Sequence, residues 1–218
     1  MIDDLRALNA QQSKATRQAG KRSGIHHPAM IIGTYTPSTV EYLPHDSESR
    51  RVARWIADMI AESDDSLHVE HIGSTSVPGC WGKGIIDLLV QYSPGCLAAA
   101  RKSLDRIGFQ RQAGVEAFPE SRPMRVGRAQ YFGRAYRIHA HVVARGSSEA
   151  RDLARFRDLL REDICLRRAY EGEKRVILAR GIVKGNEYSN AKGEFIRRAL
   201  AADQLESSGL DPAMINER

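Results

Sequence analysis

The stretch Leu67–Gln91, LHVEHIGSTSVPGCWGKGIIDLLVQ, decides the fold of this chain. It begins with a strict alternation, in which Leu67, Val69 and His71 lie on one side and the residues between them on the other. Such alternation predicts a half-buried β-strand. A turn rich in glycine and serine follows, and the short apolar run at 85–90 predicts a second, buried strand. We therefore expect two strands joined by a small-residue turn.

The turn carries groups that suit a phosphate. Gly73 permits close approach of the backbone to a bulky ligand. Ser74, Thr75 and Ser76 offer hydroxyl and N–H groups of the kind that line phosphate sites. Lys83 lies in the returning loop, where its ammonium group would meet a phosphate as a point charge. These residues are candidates for phosphate binding.

One acid, Asp87, interrupts the second strand. A carboxylate buried in an apolar strand is costly unless a cation or hydrogen-bond donors meet it. A divalent cation would supply that partner, and a Gly-Ser turn followed by an acid-bearing strand is how nucleotidyltransferases hold a triphosphate and its magnesium. The alternative, in which Asp87 only accepts hydrogen bonds from the backbone or an arginine, stays open.

The motif EHIGSTSVPG at 70–79, followed by KGIID at 83–87, resembles the hallmark of the GrpB family. The similarity covers roughly residues 39 to 200 and includes several further positions: VEYLP at 40–44, HAHVV at 139–143, FRDLLR at 156–161, Tyr170, Lys174, Tyr188, Lys192 and Phe195. It implies a nucleotidyltransferase-like fold, and members of the family are described as predicted nucleotidyltransferases. Some members are fused to dephospho-coenzyme A kinase.

The resemblance also implies a divalent-metal site, but with unusual ligands. In the superfamily pattern a second acid stands two residues after the first, where this chain has Leu89. The third position falls on a later strand, where the candidates are His139 and His141, and Glu70 is a further candidate carboxylate. Because magnesium prefers hard oxygen ligands, this donor set favours manganese, zinc or iron over magnesium. We expect Asp87 and His141 to be the catalytic pair.

Basic residues of the C-terminal part are candidates for phosphate binding. Arg157 and Arg161 lie four residues apart on one helix face, where they grip an anion or form helix salt bridges with Asp158. The resemblance assigns Lys174 and Lys192 to the same triphosphate site, with a charged helix surface as the alternative for each.

The bulk properties indicate a globular protein with an anionic partner. The chain has 218 residues and a net charge of +6, which favours nucleotides, coenzymes or RNA. Its three cysteines are an odd number and far apart, which indicates a reducing compartment rather than a disulfide framework. No stretch approaches the length of about 18 apolar residues that spans a bilayer, and no signal peptide is evident. We expect a cytoplasmic protein that does not enter a membrane.

The order of predicted elements indicates an α+β domain at 38–205, between a flexible basic arm at 1–37 and a tail at 206–218. Contact of the arm with nucleic acid or membrane is the alternative to a solvated tail. We predict strands at 40–43, 108–110, 130–132 and 136–143, a loop at 114–127, and helices at 46–62, 96–107, from 147, 166–180 and 188–205. The expected architecture is a mixed or antiparallel sheet flanked by helices, with a helical C-terminal third.

Two functions remain open at this stage. The first is a nucleotidyltransferase-like protein that binds a nucleotide or a nucleotide-containing coenzyme and transfers a nucleotidyl group with a divalent metal. The second is a non-catalytic accessory module, for example one linked to coenzyme A biosynthesis, which the missing acid at Leu89 favours. Nucleic acid is the weaker expectation for a partner, because the aromatic-rich sheet of common RNA-binding modules is absent from the sequence.

Overall fold

The computed structural model describes residues 32–114 and 117–208. Its centre is a sheet of five strands: β1 (His68–Ile72), β2 (Ile85–Tyr92), β3 (Gln110–Arg111), β4 (Met124–Tyr131) and β5 (Arg134–Ala144). They lie in the order β1-β2-β5-β4-β3, and only the β2–β5 pair is parallel. The expected mixed sheet is confirmed, as is the antiparallel pairing of the two strands of the 67–91 stretch.

Helices cover the sheet and form the last third of the described chain. They are α1 (Ser49–Ser63), α2 (Leu97–Arg106), α3 (Ser148–Glu162), α4 (Ile164–Ala179), α5 (Gly185–Ala191) and α6 (Gly193–Ser207). The predicted α+β class with a helical C-terminal third is confirmed. The predicted single helix at 188–205 is wrong, because the chain breaks at Lys192, just before the poor helix former Gly193. None of the described helices is long and apolar enough to cross a membrane.

The alternation in β5 explains how the sheet separates a core face from a site face. Tyr136, Ile138 and Ala140 are buried, whereas His139 and His141 lie on the other face and are partly exposed. The central strand β2 is almost entirely buried, as expected for a strand with neighbours on both sides and helices over its faces.

Helix α3 begins at a serine cap and covers part of the site face. The hydroxyl of Ser147 accepts a hydrogen bond from the backbone N–H of Ala150, as predicted. Ala150 packs in one buried cluster with Ile72, Leu89 and Val143. Helix α3 therefore covers the sheet beside the expected site. It packs directly over Leu89, the position where a second acid was expected.

Two further predicted elements are wrong. Residues 40–43 do not form a strand, and Leu43 makes only an isolated β-bridge with Gly82. The run is short and lies between Pro37 and Pro44, so it does not pair along a longer strand. The last four residues of the predicted loop at 114–127 belong to β4, which begins at Met124. Arg125, Gly127 and small residues obscure its alternation, and only the pairing with β5 makes it a strand.

Residues 32–37, which the sequence places in the basic arm, pack on the sheet. Ile32 is buried, and Gly33 pairs with Arg128 of β4. Most of the predicted arm, residues 1–31, and most of the predicted tail, residues 209–218, lie outside the described residues.

Candidate functional site

The Gly-Ser turn between β1 and β2 folds into a short 3₁₀ helix at Ser74–Ser76. Gly73 precedes it with φ of 69° and ψ of −176°, a conformation that is nearly exclusive to glycine. The Ser76 hydroxyl donates to the Gly73 carbonyl at 2.7 Å, and the Thr75 hydroxyl donates to the Ile85 carbonyl at 3.0 Å. These bonds fix the turn against the start of β2, as a preformed binding loop requires.

The turn lines a cavity of about 1280 Å³. Most of the candidate site residues face this cavity: Gly73, Ser74, Thr75, Lys83, Asp87, His139, His141, Arg157, Lys174 and Lys192. Three candidates, Glu70, Ser76 and Arg161, are not among its lining residues. The fold thus gathers side chains from β2, β5 and four helical segments into one place.

Asp87 lies between two imidazole rings. The parallel register places Asp87 beside His139 and Leu89 beside His141. The Oδ1 atom of Asp87 is 3.6 Å from His139 Nδ1 and 3.7 Å from His141 Nε2, so the three side chains share one face of the sheet. These distances exceed those of direct hydrogen bonds.

The charges around Asp87 favour a carboxylate beside a neutral imidazole. Burial works to raise the pKa of Asp87, but the facing His141, His139 and Lys83 outweigh it and hold this pKa below its usual range. Burial lowers the pKa of His139 to about 3, although the negative charge of Asp87 acts to raise it. At neutral pH Asp87 is therefore ionised and His139 is uncharged.

Two lysines enter the cavity, and both are attracted by the one carboxylate of Asp87. Lys192 Nζ lies 4.8 Å and Lys83 Nζ 5.7 Å from the ring centre of Tyr188. Within residues 32–114 and 117–208 neither ammonium group donates a hydrogen bond or forms an ion pair. Burial lowers the pKa of both, and the pKa of Lys192 falls to about 7 because Lys83 adds its repulsion. The buried hydroxyl of Tyr188 also has no hydrogen-bond partner in the described part of the chain.

Lys174 has a different role from these two lysines. Its side chain is buried, and its ammonium group lies 4.5 Å from the ring centre of Tyr170. It donates to the Ser74 hydroxyl at 3.3 Å, to Cys80 Sγ at 3.5 Å and to the Trp81 carbonyl. With its donors engaged, Lys174 holds Ser74 in place.

The two candidate arginines of α3, Arg157 and Arg161, are engaged by protein groups. Arg157 binds Glu70 at 2.8 Å and Asp158 at 2.8 Å. Arg161 donates to the Ser76 carbonyl at 2.9 Å and to Asp158 at 3.3 Å. Arg157 therefore holds β1 through Glu70, and Arg161 holds the turn through the Ser76 carbonyl. Glu70, tied to Arg157, does not line the cavity beside Asp87.

The donor set does not fit the expected divalent metal. Among the described residues, no group of three or more His, Cys, Asp or Glu side chains is arranged to hold an ion. Leu89 is fully buried under α3, so no second carboxylate enters there. Lys83 and Lys192 place positive charge near the single carboxylate of Asp87, which disfavours a cation.

Sequence reasoning missed Tyr35 altogether. Its hydroxyl lies 2.8 Å from His139 Nε2, and it lines the cavity. Tyr35 precedes the stretch that resembles the GrpB family and falls in the predicted basic arm, so no pattern pointed to it. Only the packing of residues 32–37 on the sheet brings it to the site.

Three comparisons place these features among known proteins. The GrpB family model, "GrpB protein", matches residues 39–202. The UPF0157 protein SCO7215 of Streptomyces coelicolor is 33% identical over 187 residues, which cover 83% of this chain and 93% of that protein. The crystal structure of a conserved protein GrpB from Enterococcus faecalis is similar, with a TM-score of 0.53 and 20% identity, covering 73% of this chain and 99% of that one.

A looser structural similarity links the chain to terminal uridylyl transferase 4 from Trypanosoma brucei, solved with bound dUTP. The TM-score is 0.45 and the identity 17%, over 79% of this chain and 59% of that one. The family match, in contrast, spans the turn, Asp87, both histidines and the C-terminal lysines. On that match, the chain belongs to the GrpB family.

Proposed function

We propose that the chain binds a nucleotide or a nucleotide-containing coenzyme through its phosphates, in the cavity beside the Gly73–Ser76 turn. The observation that carries the proposal is the pair of unpartnered ammonium groups, Lys83 and Lys192, that face the cavity. Both side chains are partly buried, and the one negative charge of Asp87 faces two positive charges. A partly buried charge is unfavourable unless an opposite charge meets it. An anionic ligand supplies that charge.

The composition of the cavity wall supports an anion. Its described lining residues include seven Lys and Arg but four Asp and Glu, which leaves a positive excess. The volume of about 1280 Å³ exceeds the 300–1,000 Å³ of ordinary small-molecule sites, so a nucleotide with a second group fits.

Several groups that line the cavity take part in the proposed binding. The backbone and hydroxyl groups of Gly73, Ser74 and Thr75 cradle phosphate oxygens, as small-residue turns do elsewhere. Lys83 and Lys192 neutralise phosphate charge as point charges. The free hydroxyl of Tyr188 is a further donor next to both lysines. Lys174, Arg157 and Arg161 contribute indirectly, because they hold the turn.

Binding without turnover is favoured over metal-dependent nucleotidyl transfer. The specific observation is Leu89, which is buried where the second acid of the transfer mechanism would stand. Transfer remains a second candidate because Asp87 and His141 lie together beside the turn. In that case an acceptor hydroxyl, amine or phosphate attacks the α-phosphate and pyrophosphate leaves. The cytoplasmic location expected from the cysteine content belongs to the same proposal.

Calorimetric titration with ATP, CTP, GTP, UTP and dephospho-coenzyme A, each with and without Mn²⁺, tests the binding. Lys192→Met should weaken the affinity by roughly 10- to 100-fold, the value of one charge-assisted hydrogen bond. Lys184→Met is the matched control, because Lys184 also lines the cavity but is exposed and pairs with Glu187 at 3.3 Å. Equal nucleotide affinities in the parent and Lys192→Met would contradict the proposed phosphate-binding site.

Release of pyrophosphate separates the two candidates. If the parent binds a nucleotide and releases no pyrophosphate with any acceptor or metal, the binding module is supported. If it releases pyrophosphate, Asp87→Asn should abolish the release. Unchanged release in Asp87→Asn would remove Asp87 from the mechanism.

A further inference from the structure

The segment just before the family match is anchored at the edge of the site. Ile32 is buried, and Gly33 exchanges two backbone hydrogen bonds with Arg128, at 2.7 and 3.0 Å. The backbone N–H of Tyr35 donates to Gln110 Oε1 at 2.9 Å. These anchors, before and at Tyr35, fix the direction in which its side chain leaves the backbone.

The Tyr35 side chain reaches the centre of the site. Its hydroxyl lies 2.8 Å from His139 Nε2, and the two rings are 5.4 Å apart. The other ring nitrogen, Nδ1, faces the Asp87 carboxylate at 3.6 Å. Tyr35, His139 and Asp87 thus form a continuous row from the segment to the Gly73 turn.

The chemistry of the row assigns its protons. A carboxylate only accepts hydrogen bonds, so the nitrogen facing Asp87 is the one that carries hydrogen. A neutral imidazole with hydrogen on Nδ1 presents a lone pair at Nε2, which lies at direct hydrogen-bond distance, 2.8 Å, from the Tyr35 hydroxyl. That lone pair requires a donor, and the Tyr35 hydroxyl is the group in contact with it.

We propose that Tyr35 is a positioning residue of this site, whose hydroxyl donates to His139 Nε2 and holds the ring in the tautomer that directs Nδ1–H at Asp87. This arrangement keeps an N–H rather than a lone pair next to the carboxylate, so His139 cannot join Asp87 as a metal ligand through Nδ1. It also holds Asp87 against the turn in one orientation. The expected effect of Tyr35 on ligand affinity rests on the proposed function, whereas its effect on the His139 tautomer does not.

Nitrogen NMR of the full chain labelled with ¹⁵N-histidine tests the assignment directly, since ring nitrogens with and without hydrogen have distinct shifts. The His139 signals are assigned by their loss in His139→Gln. The parent should show Nδ1 protonated and Nε2 unprotonated. Tyr35→Phe, which retains the ring, should give a mixture of both tautomers. Tyr42→Phe is the matched control, because it removes the same hydroxyl from a tyrosine that does not line the cavity and contacts the Glu171 carbonyl.

A parent with hydrogen on Nε2, or a Tyr35→Phe protein with unchanged His139 signals, would overturn the assignment. Calorimetry with ATP then measures the effect on binding. Tyr35→Phe should lose about 3- to 10-fold in affinity, the value of one hydrogen bond, and Tyr42→Phe should match the parent. If the parent binds no nucleotide, the proposed function fails while the NMR result still decides the role of Tyr35.

Discussion

Gly73 lies directly against Asp87: a Cβ atom on residue 73 would stand 2.5 Å from Asp87 Oδ2 and 3.1 Å from its Cβ. The backbone at Gly73 also has a positive φ of 69°. Two independent requirements, backbone conformation and space, therefore demand glycine here. The contact explains physically why the small-residue turn and the acid of β2 occur together.

Gly73→Ala should destabilise the protein by about 2–4 kcal/mol, from backbone strain plus a forced shift of the Asp87 carboxylate. Urea unfolding measures the loss. Gly79→Ala is the control, because Gly79 also has a positive φ, 76°, but no atom within 4 Å of its would-be Cβ. It should cost about 1 kcal/mol. Equal losses in both variants would show that the contact with Asp87 carries no energy.

Lys192→Met should stabilise the ligand-free protein by about 1–4 kcal/mol near pH 6, because it removes a partly buried charge that forms no ion pair among the described residues. The folded-state pKa of Lys192 is about 7, below the ordinary value near 10.5. Between these two values the unfolded state binds more protons, so the stability of the parent rises with pH. The advantage of the variant should therefore shrink from pH 7 to pH 10 in thermal unfolding. An advantage that is constant with pH would argue against a lowered pKa.

Nucleotide affinity should fall as the pH rises above about 7. The ligand binds best to the charged form of Lys192, and this form is lost above its ligand-free pKa of about 7. The fall should approach tenfold per pH unit until the raised pKa of the complex is reached. The Lys192→Arg variant keeps a positive charge at residue 192 throughout this range, so its affinity for the nucleotide should stay constant from pH 7 to 9. Calorimetric titrations at half-unit intervals provide the comparison.

Leu89→Asp should not restore a metal site. The side chain of residue 89 is enclosed by Ile72, Val143 and Ala150 under α3, so a carboxylate there is buried without a partner. The expected loss is about 3–5 kcal/mol at pH 7, and it should shrink at acidic pH where the new side chain is neutral. Leu89→Met, the control of similar volume, should lose less than about 1.5 kcal/mol. A stable Leu89→Asp protein that binds one Mn²⁺ would contradict this prediction.

Much of the fold was predictable because it depends on local patterns. The alternation before Gly73, the apolar run of β2 and the faces of β5 each reflect which side of the sheet a residue occupies. The serine cap of α3 is equally local. The end of β4 was predicted as a strand at 130–132, but residues 124–129 were missed because Gly127 and the charged residues hide the alternation until β5 pairs with it.

The sequence by itself determined the turn, the acid-bearing strand and the two histidines two residues apart on one strand face. Only the tertiary structure decided what they form. The parallel register of β2 and β5 places Asp87 between the two imidazoles, and α3 covers Leu89. The C-terminal helices bring Lys192 to the cavity beside Lys83 of the loop before β2, and a segment from before the family match brings Tyr35. The physical reason is that burial, charge pairing and hydrogen-bond partners depend on contacts between residues up to about a hundred positions apart, as with Tyr35 and His139, whose separation is 104. Local sequence patterns carry no information about such contacts.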